Sequence, residues 1–327
     1  MTPVARGEKG AFLAFLVGSL LWGCATTTGT STPQTAAPPA PEPLPEPGEL
    51  ARNWLLPSRI TDVGSGQKLE PEALFDRLLP ARVIYVAENH DNPHDHAVQL
   101  QVIDGLYRRD PSLAIGMEMF KRPFQKWVND FVSGEIDEAA MLEKTQWSER
   151  WGFDYALYKP ILDYARAHQI PILALNERDE VTRQVSRQGL ASLDPVDRDG
   201  IPDLDLTQAP HRARIKEAFD AHGAHGHGKL DFENFYAAQV IWDETMAYEV
   251  ASELQKPNAP RRFVVIAGGG HLRHPDAVPG RAEKRGAAPY QIVVPEVVEE
   301  PTPLPKLLED AGHFLWLMAK DSTLLPP

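Results

Sequence analysis

Short apolar runs alternate with longer amphipathic stretches along most of this 327-residue chain. Five runs have the length and continuity of strands buried on both faces: residues 82–87, 113–117, 171–175, 262–267 and 290–294. Between them, apolar residues recur at helical spacing, as in Leu100, Ile103 and Leu106. This alternation predicts an α/β fold whose mainly parallel central sheet is flanked by helices.

One long interval carries helical patterns only. Residues 176–258 contain no good strand candidate, and they predict a helical insertion lobe between the third and fourth strands. After the fifth strand, a Pro- and Glu-rich stretch leads to the apolar residues 313–318. We expect this apolar patch to dock on the body, with partner binding as the alternative.

The first 23 residues have the pattern of a bacterial lipoprotein signal peptide. Residues 11–22 form an apolar run that is short for a membrane span but suits a signal-peptide core. Gly23 then precedes Cys24, the one cysteine of the chain, which predicts lipidation of Cys24. Trp22 stands where a small residue is usual, so a conventional signal peptide and an uncleaved anchor stay open as alternatives.

A low-complexity stretch separates this signal from the folded body. Residues 24–48 are Thr-rich and then Pro-rich, which predicts a disordered tether before a body at 49–320 and a short tail at 321–327. Ala25 provides no acidic retention signal after the lipidated cysteine. We therefore expect a protein that is lipid-anchored to a bacterial membrane, with the outer membrane favoured and the body periplasmic or surface-exposed.

Composition narrows the classes of function. The chain has 33 Lys and Arg residues against 46 Asp and Glu residues, a formal net charge of −13. This balance argues against nucleic-acid binding, because phosphate contacts need a basic surface. A single cysteine excludes a disulfide framework and a cysteine-based zinc site.

Residues with acid–base chemistry follow the predicted strands. Glu88 and His90 follow the first strand, Glu118 ends the second, Asn176 ends the third, and three glycines and His271 follow the fourth. In open α/β sheets, ligands bind beyond the carboxyl ends of the strands. If the strands are parallel neighbours, these acids and imidazoles should converge on one pocket. The alternative is a set of separate, capped strand ends at the surface.

Three further polar residues lie on predicted helices that otherwise present apolar faces. His96 falls on the core-facing stripe of a helix that Asn92 is placed to cap. Gln239 and Asp243 interrupt the apolar stripe of the helix near 231–254. Since buried polar groups are costly unless paired, each of the three either faces the pocket or is hydrogen-bonded within the core.

A histidine-rich run lies inside the helical interval, with His222, His225 and His227 spaced by glycine and alanine. Imidazoles at this spacing can bind a metal ion or capture haem. The glycines leave the run without a preorganised shape, so a mobile exposed loop is the other interpretation.

The ordered set of motifs resembles the ChaN-like haem-binding lipoproteins. That family belongs to the haem-binding uptake/Tiki superfamily, together with erythromycin-esterase-like and TraB-like proteins. The resemblance covers about residues 78–294 and rests on the motifs at 86–96, 99–101, 116–120, 174–176, 238–247 and 268–271. Ala87 stands where the family usually has glycine, which is a mild departure.

This resemblance implies a haem- or iron-binding surface lipoprotein that serves uptake or storage, with Glu88, His90, Glu118 and His271 as the shared polar residues. It implies haem as the cofactor and haem or an iron chelate as the partner. An outer-membrane haem receptor is a candidate protein partner. Because haem is flat and largely apolar, two copies of the chain could enclose it as a homodimer.

The iron ligand is less well defined by the resemblance, because haem iron accepts either Tyr or His. The candidates are Tyr155, Tyr158 and Tyr236. Two of them follow Trp147 and Trp151, and an aromatic surface of this kind suits a porphyrin face. Packing within the helical lobe is the alternative role for each tyrosine.

Two other functions stay open. The same Glu and His residues could activate water, directly or through a divalent metal, in a hydrolase of the same superfamily. No Ser or Cys nucleophile motif accompanies them, so such an enzyme would depend on water activation. The third hypothesis is a non-catalytic surface scaffold in which the polar residues are only hydrogen-bonded.

Overall fold

A mixed, mostly parallel sheet forms the centre of the fold. The computed structural model describes residues 58–223, 231–298 and 312–319. Its eight strands are β1 (Ser58–Asp62), β2 (Lys68–Leu69), β3 (Val83–Glu88), β4 (Leu113–Lys121), β5 (Ile172–Asn176), β6 (Arg262–Gly268), β7 (Tyr290–Val298) and β8 (Phe314–Ala319). The strand order is β2-β1-β8-β7-β3-β6-β4-β5. Only the pairs that involve β1 are antiparallel.

Helices fill most of the connections between the strands. They are α1 (Pro71–Leu78), α2 (Pro93–Tyr107), α3 (Gln125–Ser133), α4 (Glu138–Thr145), α5 (Trp147–Arg150), α6 (Lys159–Ala167), α7 (Asp179–Gln188), α8 (Pro195–Gly200), α9 (Ala209–Gly223), α10 (Phe232–Leu254), α11 (Gly269–Leu272) and α12 (Val278–Lys284). Short 3₁₀ turns lie at Arg122–Phe124, Tyr155–Leu157 and Leu190–Ser192. The predicted α/β class is therefore confirmed.

The central strands are apolar throughout because helices cover both faces of the sheet. On one face, Tyr85 and Val265 share a buried cluster with Met246 of α10 and Ala282 of α12. On the other, α2 packs against β3 and β7, and α1 packs on α2. Each of the six residues of β3 is buried, as expected for a strand between two parallel neighbours.

The described residues between β5 and β6 form the helices α7 to α10 and contain no strand, as the helical pattern predicts. The longest is α10, where Asp231 caps the N-terminus by accepting a hydrogen bond from Asn234 N. Helix α10 packs against α7 on one side and α12 on the other. It thereby spans from the lobe to the sheet. No helix in the described ranges is long and apolar enough to cross a membrane.

The strand bounds and the strand count differ from the prediction. The expectation that the second strand ends at Glu118 is wrong, because β4 continues to Lys121 across a shift in its register with β5. The apolar patch at 313–318 docks as strand β8, between β7 and β1. Its Trp316 is fully buried. The apolar composition of this segment was visible in the sequence, but its pairing with β1, more than 250 positions away, gave no local signal.

A close contact between α1 and α2 makes Gly105 a sensitive position. A Cβ atom there would lie 2.5 Å from two ring carbons of Phe75, which is itself buried. We expect Gly105→Ala to lower the free energy of unfolding by about 1–3 kcal/mol through overpacking. Denaturant unfolding measures this change. Gly200→Ala is the control, since nothing lies within 4 Å of a Cβ at Gly200; equal stability of the two variants would contradict the expectation.

Candidate functional site

The site is built at the carboxyl ends of three adjacent parallel strands. β3, β6 and β4 lie side by side, with Glu88 opposite Gly268 and Met117 opposite Ile266. Glu118 follows Met117, and His271 lies on α11 directly after β6. The strands that the sequence predicted to be parallel neighbours are thus adjacent, and the acids and imidazoles at their ends lie close together.

Glu88 is a buried carboxylate with several donors around it. Its Oε1 accepts hydrogen bonds from His90 Nδ1 at 2.6 Å and from the Tyr158 hydroxyl at 2.8 Å. Its Oε2 accepts from Gln99 Nε2 at 2.7 Å and lies 3.5 Å from His96 Nδ1. Burial alone would raise the pKa of Glu88, but the nearby His96 and His90 lower it to about 2. Glu88 is therefore ionised at neutral pH.

His96 belongs to the support of this carboxylate. Its Nε2 lies 3.1 Å from the backbone carbonyl oxygen of His90, and its ring packs against Tyr158. Asn92 caps α2 by accepting from His94 N at 3.0 Å, as predicted, and so fixes the start of the helix. The sequence left open whether His96 faces the pocket or is hydrogen-bonded within the core. The structure shows a buried, hydrogen-bonded residue that borders the site.

His90 lies between Glu88 and an aromatic wall. Its ring centroid is 4.9 Å from those of Trp151 and Phe153. Burial would lower the pKa of His90, but the hydrogen bond to Glu88 and the charges of Glu88 and Glu118 raise it above its ordinary value. The two carboxylates therefore favour protonation of His90, whereas the nearby His271 opposes it.

A second carboxylate–imidazole pair faces the first. His271 Nδ1 lies 2.6 Å from Asp243 Oδ1, and His271 Nε2 lies 3.6 Å from Glu118 Oε1. Burial alone would lower the pKa of His271, but the charges of Glu118 and Asp243 raise it to about 9. Burial likewise opposes ionisation of Asp243, whose pKa is nevertheless lowered by His271 and His211. This arrangement holds a protonated imidazole at neutral pH.

Gly268 separates the two pairs and leaves space for them. Its backbone N–H donates to Glu118 Oε2 at 2.7 Å. A Cβ atom at this position would lie 2.8 Å from His90 Nε2 and 3.6 Å from Glu118 Oε2. Glycine is thus required by close approach, because any larger residue would displace the His90 ring.

We expect Gly268→Ala to lower the free energy of unfolding by about 1–3 kcal/mol and to move the His90 ring away from Glu88. Imidazole NMR signals of His90 report the second effect directly. The matched control is Gly270→Ala, since nothing lies within 4 Å of a Cβ at Gly270. Unchanged His90 signals in Gly268→Ala would show that the ring is not confined as described.

Asn176 and Gln239 are not joined to these pairs. Asn176 is buried at the end of β5, where its Oδ1 accepts from Glu177 N at 2.9 Å. Gln239 is buried on α10, one turn before Asp243. For the described part of the chain, no hydrogen bond links either side chain to Glu88, Glu118 or His271. Their roles in ligand binding stay predictions.

The three candidate tyrosines lie in three different environments. Tyr158 is fully buried and donates to Glu88, and Tyr236 is buried with its hydroxyl 3.3 Å from His211 Nδ1. Tyr155 is half-buried and donates to Glu138 at 3.3 Å. Burial raises the pKa of each phenol, most strongly for Tyr158. Tyr155 is the one of the three with an accessible face, and the identity of an iron ligand stays a prediction.

Other predicted positions fall outside the described residues. His222 lies on the last turn of α9 without a described side chain, and His225 and His227 lie in the undescribed interval 224–230. Cys24 and the whole of 1–48 also lie outside. Within the described ranges, no group of three or more His, Cys, Asp or Glu side chains is arranged to hold a metal ion.

Sequence reasoning missed two residues that border the site. His211 on α9 lies with its Nε2 3.0 Å from Asp243 Oδ2. Lys121, at the end of β4, has a buried side chain whose Nζ lies 3.1 Å from Asp179 Oδ1 and 5.9 Å from the Trp151 ring centroid. The polar Lys121 directly after an apolar strand was a usable signal, whereas His211 gave none.

Residues 74–281, more than half of the chain, match the family described as "Haem-binding uptake, Tiki superfamily, ChaN". The chain belongs to this family. The match includes each of Glu88, His90, Glu118 and His271, and it confirms the resemblance seen in the motifs.

The chain is also similar to three individual proteins. The solved structure of ChaN of Campylobacter jejuni, which is described as showing cofacial heme binding, aligns with a TM-score of 0.61 at 14% identity, covering 80% of this chain and 96% of that one. An erythromycin esterase mutant in its open conformation aligns at 0.42 and 14% identity, covering 79% and 81%. The Arabidopsis thaliana chloroplastic protein RETICULATA-RELATED 5 is 23% identical over 247 residues. That match spans 69% of this chain but only about a third (32%) of the plant protein.

Proposed function

We propose that this protein binds haem and serves haem or iron uptake or storage. The observation that carries the proposal is its membership of the ChaN family over a span that contains the entire Glu–His site. The Campylobacter relative, which shares the fold, is described as binding heme cofacially. Uptake and storage both require reversible binding without turnover, which distinguishes this role from catalysis.

The residues at the site fit a haem in their chemistry. Phe153 is partly exposed beside His90 and packs on the buried Trp151, and such an aromatic surface suits the flat apolar face of a porphyrin. Imidazole and phenol are the side chains that haem iron accepts, together with thiolate and thioether. The absent side chain of Gly268 lets the His90 ring lie close to the backbone at the end of β6. When bound, haem would supply an iron centre with one or two positions for such ligands.

Anchoring and assembly belong to the same proposal. We propose that a lipid on Cys24 holds the body at a bacterial membrane, with the outer membrane favoured, where an outer-membrane receptor could deliver haem. Because both faces of a haem are apolar, a second copy of the chain would cover the face that the first leaves exposed. Mass spectrometry of Cys24 tests the anchor, and an unmodified Cys24 would contradict it. Light scattering with and without hemin tests the dimer, and a molar mass that hemin does not change would contradict it.

A hemin titration of the full chain in detergent tests haem binding. We expect a saturable, shifted Soret band with low stoichiometry, and no chemical change in the porphyrin. Tyr155→Phe should alter the band if Tyr155 is the iron ligand. Tyr107→Phe is a matched control, because Tyr107 packs on Tyr164 and His168 rather than on the site. Absence of a saturable shift in the wild-type chain would contradict haem binding.

A hydrolase is the second candidate, because two carboxylate–imidazole pairs face each other across Gly268. At neutral pH the raised pKa of His271 makes it a proton donor, and the Glu118 carboxylate lies beside it, with Oε1 3.6 Å from His271 Nε2. A divalent metal could assist such a reaction. Glu118→Gln should then abolish turnover with the fold intact. A screen of ester and amide substrates without turnover by the wild-type chain would contradict this candidate.

A further inference from the structure

Asp243 is a buried carboxylate whose two oxygens face different groups. Its Oδ1 accepts a hydrogen bond from His271 Nδ1 at 2.6 Å. Its Oδ2 lies 3.0 Å from His211 Nε2 and 3.8 Å from Arg281 Nε. The side chains of Asp243 and Arg281 are each 1% exposed, and that of His211 is 2% exposed. The carboxylate that holds His271 is therefore itself contacted from behind by two buried groups.

Arg281 determines which nitrogen of His211 carries the proton. His211 Nδ1 lies 3.4 Å from Arg281 Nη2 and 3.3 Å from the Tyr236 hydroxyl. A guanidinium has donors only, so Nδ1 accepts from it and the ring carries its proton on Nε2. His211 thus presents an N–H group to Asp243 Oδ2.

Two buried atoms beside each other lack a hydrogen bond. Within the described ranges, neither Asp243 Oδ2 nor Arg281 Nε has a hydrogen-bond partner of good alignment, although His211 Nε2 lies close to that oxygen. The other nitrogens of Arg281 are occupied, Nη1 by Glu244 and Nη2 by His211. Since buried polar atoms are stabilised by pairing, a turn of the Asp243 carboxylate toward Arg281 would be favourable. That turn would draw Oδ1 away from His271.

We infer that His211 is a positioning residue of the site, which keeps Asp243 directed at His271 and away from Arg281. The His211 N–H attracts Oδ2, so the carboxylate stays where Oδ1 reaches the imidazole of His271. His211 lies on α9, Asp243 on α10 and Arg281 on α12. The packing of a lobe helix thus fixes the orientation of an imidazole at the end of the sheet. This role concerns the protein without a ligand and goes beyond the proposed haem binding.

NMR of the full chain in detergent, with isotope-labelled histidine, tests this role. The short hydrogen bond from His271 to Asp243 should give a downfield Nδ1–H resonance, which His271→Gln assigns by its loss. We expect wild type to show this resonance and His211→Leu to lose it, because Asp243 then turns to Arg281. The double variant His211→Leu with Arg281→Lys should show it again. The lysine ammonium keeps the charge beside Glu244 but places no N–H at the position of Nε.

Two controls separate positioning from a loosening of α9. His211→Gln keeps an N–H donor toward Asp243, so it should keep the resonance. Arg212→Met removes another link between α9 and α10, because Arg212 pairs with Glu233 at the surface. This variant should also keep the resonance.

Survival of the resonance in His211→Leu would overturn the inference. Its loss in Arg212→Met, or its absence from a folded double variant, would overturn it as well. If the double variant does not fold, the contrast between His211→Leu and His211→Gln decides, and equal behaviour of these two overturns the inference. Because no haem is present, none of these results depends on the proposed function.

Discussion

Asp243→Ala should lower the free energy of unfolding by about 3–5 kcal/mol, because it removes a buried carboxylate that is paired with the protonated His271. Asp243 lies 2.6 Å from His271 Nδ1, 3.0 Å from His211 Nε2 and 3.8 Å from Arg281 Nε. Arg281 and His211 are fully buried. Without the carboxylate, the charge of His271 would lose its hydrogen-bonded partner, and Arg281 would depend on its pair with Glu244.

The same helix offers a control for this substitution. Glu253 lies on α10 and pairs with Lys256 at the surface, so Glu253→Ala should change stability by less than about 1 kcal/mol. Asp243→Asn keeps the side-chain volume and one acceptor oxygen, so its loss of stability should lie between those of Asp243→Ala and Glu253→Ala. Chemical denaturation of the three variants measures these differences. A loss below about 1 kcal/mol in Asp243→Ala would contradict the charged network.

The stability of the protein should fall as the pH rises from 6.5 to about 9, and His271 should account for much of the fall. The folded-state pKa of His271 is raised to about 9 from an ordinary value of 6.5. Below pH 6.5 both states are protonated, and the stabilisation is fully present. As the pH rises through this window, the unfolded chain loses the proton first, so the stabilisation is lost. A shift of this size corresponds to roughly 3 kcal/mol.

The charged groups that face His271 are Glu118 and Lys121 from β4, Asp243 from α10 and His90 from the turn after β3. Denaturant unfolding at several pH values tests the slope, and the imidazole NMR signals give the pKa directly. His271→Gln is the control, because it should be less stable at pH 6.5 and should show a flatter dependence. A His271 pKa near 6.5 in the folded protein would contradict the network.

The positions of the main strands could be predicted because they depend on local composition. A strand covered on both faces is apolar throughout, so the runs that contain Val83, Phe263 and Tyr290 are visible without any partner. β1 and β8 could not be predicted in the same way. They pair with each other across more than 250 positions, as Ile60 does with Trp316, and no local pattern indicates that pairing.

Some residues of the site could likewise be predicted from local sequence patterns, and others could not. Glu88, His90 and His271 follow strands, and the rule that ligands bind beyond the carboxyl ends of parallel strands identified them. Asp243 was visible as an interruption of an apolar helical stripe. His211 and the bond from Tyr158 to Glu88 depend on how α9 and the turn before α6 pack over the sheet. No spacing along the chain carries that information.

The most direct test of the central claim is a crystal structure of the protein with hemin bound, with the iron located by anomalous scattering. We expect the porphyrin to lie over the cleft beside Trp151 and Phe153. A porphyrin bound on another face of the protein, with the Glu–His cleft unchanged, would contradict haem binding at this site.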